Sequence, residues 1–123
     1  MVSENCEELF EVETIESVTV ICLNQISIVG PTSVETIGAR LRELANDSSK
    51  SNFVIDFSQV RFFSSQMLGL LVDLWRRLKE TGGCLVISGI NPQLNRVFRI
   101  THLDRLFDFY DDKQAAISVF HSR

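Results

Sequence analysis

The stretch FFSSQMLGLL, Phe62–Leu71, sets two adjacent serines between an apolar run and a long apolar helical pattern. A hydroxyl in that place can cap the helix, act as a nucleophile or accept a phosphoryl group. Nucleophilic catalysis needs a base within hydrogen-bond reach. The only histidines are His102, in the connection Ile100–Leu103, and His121, in the last three residues, so no enzymatic activity is expected. Gly82-Gly83 closes a helical pattern where a phosphate cradle would have to open one. Cys6, Cys22 and Cys84 are odd in number, widely spaced and without a CxxC pair, which fits reduced thiols and no metal. No cofactor is expected either.

Capping accounts for Ser64. With Ser64 as N-cap, Phe63 and Leu68 take the two positions of a hydrophobic staple. Ser65 then falls at the first helical position, where its hydroxyl has no structural duty. Steps of about 100° gather Met67, Leu70, Leu71, Leu74, Trp75 and Leu78 into one apolar face, with Asp73, Arg77 and Glu80 opposite. Ser65, Gly69, Val72 and Arg76, at i, i+4, i+7 and i+11, form a row along its rim. A glycine inside a helix costs about 1 kcal/mol relative to alanine, so Gly69 marks a close approach. What approaches is either a neighbouring element of the same chain or a partner.

Phosphate on Ser65 would add about −1.5 to −2 charges beside the free N–H groups of the helix start, which the fold tolerates. The same anion would meet any partner covering the row as a buried, unpaired charge. The candidate modification site is therefore Ser65, with Ser64 as the alternative. The candidate docking set is Ser64, Ser65, Gln66, Gly69, Val72 and Arg76.

These residues need a scaffold. Phe10–Ile15 alternates and Val18–Leu23 is β-branched, which predicts two strands joined at Glu16-Ser17. Gln25–Pro31 reads as a loop, with Ile26, Ile28 and Val29 forming either a sticky patch or a buried insertion. Val34, Ile37, Leu41, Leu44 and Ala45 predict a helix ending at Asn46-Asp47, and Phe53–Phe57 a buried strand. Ser65–Thr81 is the longest helical pattern, stopped by Gly82-Gly83. Cys84–Ile87 is a further buried strand, Asn91-Pro92 opens a helix through Ile100, and Leu106–Tyr110 is a last strand before a helix capped by Asp111-Asp112. Alternation of this kind predicts an α/β fold with a largely parallel sheet.

The 123 residues are 45% hydrophobic and 23% charged, as expected of one domain spanning 1–123, with polar residues 1–8 frayed. The net charge is −4 and the 12 Lys and Arg are scattered, which argues against nucleic acid as a partner. The start lacks a signal-peptide pattern, and no run reaches the ~18 apolar residues of a membrane span. A cytoplasmic protein is expected.

The stretch from Phe53 to Ile117 resembles the STAS domain of bacterial anti-sigma factor antagonists of the SpoIIAA and RsbV type. It carries Phe62-Phe63-Ser64-Ser65 after a strand, the pair Leu68-Gly69, Gly82-Gly83 before the next strand, and the Asn91-Pro92 helix start. The resemblance implies a small mixed sheet with about four helices packed mainly on one face, and a binding switch instead of an enzyme. It implies a serine phosphorylated by a partner that is both serine kinase and anti-sigma factor, bound by the unphosphorylated form, with a phosphatase to reset it. Aligned on Leu68-Gly69, that serine is Ser65. The family usually reads Asp-Ser-Ser or Asp-Ser-Thr before Gly-Leu-Gly. Here Ser64 stands for the Asp, Gln66-Met67 departs from the pattern, and the loop Asn24–Gly30 lacks the family's frequent Asp. Those departures motivate an alternative reading, a scaffold without phosphorylation or the soluble subunit of a transport complex.

Overall fold

The structure, a computed structural model, describes residues 10–15, 17–28, 30–46 and 52–121. The expectation for residues 1–8 lies outside these. Strands β1 (Phe10–Ile15), β2 (Val18–Leu23), β4 (Asn52–Asp56), β6 (Cys84–Ser88) and β7 (Asp108–Tyr110) form one mixed sheet in the order β1-β2-β4-β6-β7. Only β1 is antiparallel to its neighbour. The inner strands β4 and β6 bury apolar side chains on both faces because helices cover both. Phe53 and Ile55 of β4 face the larger core, and Val54 faces the smaller one.

Helices α1 (Pro31–Asn46), α2 (Ser65–Glu80) and α3 (Pro92–Ile100) seat Leu41, Leu71 and Phe98 in the larger core. Helix α4 (Lys113–His121) packs Ala116 and Ile117 against Val18, Val20, Val54 and Val86 on the opposite face. Two of the expected helix starts are in place, while the first helix begins at Pro31, inside the expected loop Gln25–Pro31. The side chain of Asn91 accepts from Leu94 N at 2.8 Å, and Asp112 Oδ1 accepts from Ala115 N at 2.9 Å. After Thr81, Gly82 takes φ +81° and Gly83 N donates to Leu78 O at 2.6 Å, a Schellman-type stop that lets the chain turn into β6.

Two short strands were illegible in sequence. The expected loop Gln25–Pro31 contains β3 (Ser27–Ile28), which pairs in parallel with β5 (Phe62–Phe63). A two-residue strand has too few alternations to show a period, and its partner lies far along the chain. It buries Ile28 completely. Phe63 sits edge-on to Phe57 at 5.8 Å and to Phe98 at 5.9 Å, and Phe98 also meets Phe107 and Phe109. This aromatic cluster holds β5, and hence the start of α2, against α3.

At the end of β6, Gly89 has φ +70°, and a Cβ there would lie 2.7 Å from Asp56 Oδ1 and 3.1 Å from Ser58 N. The same carboxylate oxygen already accepts from Ser58 N at 2.8 Å. Gly89→Ala should therefore cost about 2 kcal/mol, from left-handed strain and the crowded turn together. Urea denaturation reads this loss. A midpoint equal to that of the unaltered chain would mean that the turn relaxes freely.

Candidate functional site

The double serine lies where β5 passes into α2. Ser64 occupies the N-cap position with φ −85° and ψ 166°. Its N–H donates to Ile28 O at 2.9 Å, and its carbonyl accepts from Met67 N at 3.0 Å. Its hydroxyl makes no capping bond, and Ser64 Oγ is buried without a partner among the described residues. This corrects the expectation that the side chain caps the helix. The β3 backbone fixes the entry of the chain, and the Ser64 carbonyl already satisfies Met67 N, so the hydroxyl is not needed there. Ser64→Ala should hold stability constant or raise it by up to about 1 kcal/mol, because an orphaned buried hydroxyl is removed. A working cap would instead lose about 1 kcal/mol. Thermal melts separate the two.

Ser65 is exposed at the first position of α2, and its hydroxyl makes no hydrogen bond among the described residues. No acidic side chain stands in the first turn, so the positive end of the helix dipole is not neutralised locally. Gln66 is exposed beside it. Met67, Leu70, Leu71, Leu74 and Leu78 are buried as the periodicity required, while Trp75 is half-buried with Lys79 Nζ 5.8 Å from its ring centre.

Along the rim row Ser65, Gly69 and Arg76 are exposed, and Val72 is half-buried against the core. Gly69 is exposed, and a Cβ added there would meet nothing within 4 Å. No described element therefore requires this glycine, which leaves the partner as the reading the geometry favours. Val72 is half-buried and Arg76 exposed. Arg77 is held by Asp73 at 3.1 Å, whereas Arg76 has no ion pair among the described residues. Gly69→Ala should stabilise the fold by up to about 1 kcal/mol. A partner seated closely on the row should lose affinity from the same methyl, and a stability gain without any loss of partner binding would remove Gly69 from the docking set.

Two residues join this site that helical spacing could not place. Ile26 and Phe62 are 62% and 51% exposed, large apolar groups turned to solvent while Ile28 is sealed inside. Arg61 N and Phe62 N both donate to Ile26 O, at 2.8 and 3.1 Å, so the pair is held together just before Ser64. The Phe62-Phe63 doublet carried a signal, since adjacent strand residues face opposite ways. The sequence could not say which faced out. Val29 lies outside the described residues.

Elsewhere, burial pushes the Cys22 thiol up, so it is protonated at neutral pH despite Lys113 Nζ at 3.8 Å. The described residues contain no group of three or more His, Cys, Asp or Glu placed to hold a metal. No described helix is long and apolar enough to cross a membrane.

The STAS domain family model matches residues 7–116. BtrV of Bordetella bronchiseptica, a candidate anti-sigma factor antagonist, is 23% identical over 108 residues, which are 88% of this chain and 90% of BtrV. Matches to relatives in Thermotoga neapolitana and Thermotoga maritima span 65% and 60% of those proteins. An anti-sigma factor antagonist STAS domain protein from Planctomyces limnophilus superposes with a TM-score of 0.79 at 28% identity, over 89% of this chain and 96% of that one. Unphosphorylated SpoIIAA superposes at 0.73 and 20% identity, over 93% and 99%. A sulfate transporter family protein from Wolinella succinogenes superposes at 0.70 and 12% identity, over 87% of each chain. The last two likenesses concern the fold alone.

Proposed function

The chain belongs to the STAS domain family, and from that premise we propose that it is a cytoplasmic anti-sigma factor antagonist, a non-enzymatic binding switch controlled at Ser65. In its unphosphorylated state it binds an anti-sigma factor that is also a serine kinase, and a phosphatase restores that state. The observation that carries this reading is the exposed Ser65 hydroxyl, unbonded among the described residues, at a helix start without a side-chain cap, at the head of a row whose Gly69 meets nothing within 4 Å among those residues. Phosphate there suits the helix dipole and leaves the core untouched. A partner lying over Gly69 and Val72 would have to bury the anion without a counter-charge. The relatives named anti-sigma factor antagonists support the same reading. Mapping phosphate by mass spectrometry on the chain isolated from its native organism tests it: phosphate is expected on Ser65, and phosphate confined to Ser64 would overturn the assignment.

The second reading, a STAS module working within a transport complex without phosphorylation, draws on Ser64 in place of the family's usual Asp and on the likeness to the transporter protein. Recovery of transporter subunits with the chain from native membranes, and no phosphate on either serine, would favour it.

A further inference from the structure

Three hydrogen-bond donors at the start of α2 lack acceptors among the described residues. Ser64 Oγ is buried and bonded to nothing there. The N–H groups of Ser65 and Gln66 fall in the first turn, where a helix supplies no carbonyl of its own, and α2 has no side-chain cap to replace one. Met67 N differs, since it donates to the Ser64 carbonyl at 3.0 Å. With no acidic residue in the first turn, the positive end of the helix dipole is also left without an anion of its own.

The buried hydroxyl is an observation separate from the helix end. A buried polar atom without a partner is rare in native folds and costs stability, because its bond to water is lost and none replaces it. Alanine would fill the same space without that loss. Ser64 therefore keeps a proton ready for an acceptor that the described residues of the unmodified chain do not supply. No bond among those residues fixes its Oγ, so it can turn among the staggered positions about Cα–Cβ. The next residue, Ser65, is exposed. Phosphate on Ser65 would bring three strong acceptor oxygens to the same helix mouth, one residue away.

We infer that Ser64 is a positioning residue for the phosphorylated state, in which its hydroxyl donates to the phosphate on Ser65 beside the N–H groups of Ser65 and Gln66. An aspartate at position 64 could accept from the helix start but would set a second negative charge against the phosphate, whereas serine has a proton to give. Unsatisfied in one state and bonded in the other, the Ser64 hydroxyl biases the chain toward the phosphorylated form and draws the anion onto its own helix. The inference rests on the reading of Ser65 as the switch and extends it, since it gives the buried hydroxyl beside that residue a part in the control.

The test uses the full chain with phosphoserine placed at position 65 during translation, so that no kinase is needed. Phosphorus NMR should find the second ionisation of the phosphate below its ordinary pKa of about 6. That pKa should rise by on the order of half a unit in Ser64→Ala, and further in Ser64→Asp, because the first loses a donor and the second adds a like charge. Amide protons of Ser65 and Gln66 should move downfield as the phosphate loses its second proton. Thermal melts with the phosphate fully ionised should reverse in sign: Ser64→Ala melts no lower than the unaltered chain without phosphate, and lower than it when both carry phosphate. A serine with a merely structural duty would shift both forms alike and leave the phosphate pKa where it was, and either result would overturn the inference. The same negative result beside phosphate mapped to Ser65 in the native chain would sink the role of Ser64 and leave the switch standing. Coupling in the phosphoserine chain, with native Ser65 never phosphorylated, would do the reverse.

Discussion

Ser65→Asp should lose at least about 100-fold in affinity for the partner while melting no lower than the unaltered chain. The two halves of this expectation come from opposite sides of one side chain. Toward its own chain, position 65 stands exposed at an α2 start with neither a side-chain cap nor an acidic residue in the first turn. A carboxylate there gains about 0.3–1 kcal/mol from the helix dipole. Toward a partner covering Gly69 and Val72, the same carboxylate is a buried charge without a counter-ion, which costs about 3–5 kcal/mol. That range starts at roughly 100-fold in Kd. Isothermal titration with the partner captured by the unaltered chain, together with a thermal melt, reads both. Undiminished binding would end the case for a switch at Ser65. A large fall in melting temperature would show that the hydroxyl is structural.

The largest loss of stability is expected at Phe98. It is fully buried, and its ring lies 5.2–5.9 Å from those of Phe63, Phe107 and Phe109. Truncating such a residue to alanine costs about 3–5 kcal/mol, out of about 5–15 kcal/mol for a whole domain. The damage should be directional. Phe98 is the link between α3 and β5, so Phe98→Ala should speed hydrogen exchange in Phe62–Met67 and in α3 more than in β2 or β4. Phe62→Ala provides the contrast: on the same strand but half exposed, it should change stability by no more than about 0.5 kcal/mol and still weaken partner binding. If Phe98→Ala cost under about 1 kcal/mol, the aromatic cluster would not be what holds the start of α2 in place.

Both expectations depend on how different kinds of information entered the chain. Local physics was written in short stretches and could be read from them. The 3.6-residue spacing from Met67 to Leu78 announced the buried face of α2, Asn91-Pro92 and Asp111-Asp112 announced two helix starts, and Gly82-Gly83 announced a stop. The row Ser65, Gly69, Val72 and Arg76 followed from the same arithmetic, because helical neighbours at i+3 and i+4 share a face wherever the helix is placed.

Other properties belong to residues brought together from far apart, and the sequence could not decide them. The pairing of β3 with β5 joins residues more than thirty positions apart, and it alone determines that Ile28 is sealed while Ile26 and Phe62 face solvent. Ser64 was right as the N-cap position and wrong as a capping side chain, because a backbone carbonyl and the β3 strand had already done the work. Gly69 was ambiguous until the space beside it proved open. The sequence by itself determined the helices and longer strands and which hydroxyl stands at a helix mouth, since those depend on neighbours within a turn or two. Only the tertiary structure decided that Ile26 and Phe62 stand exposed beside that hydroxyl, because exposure is a property of what packs alongside.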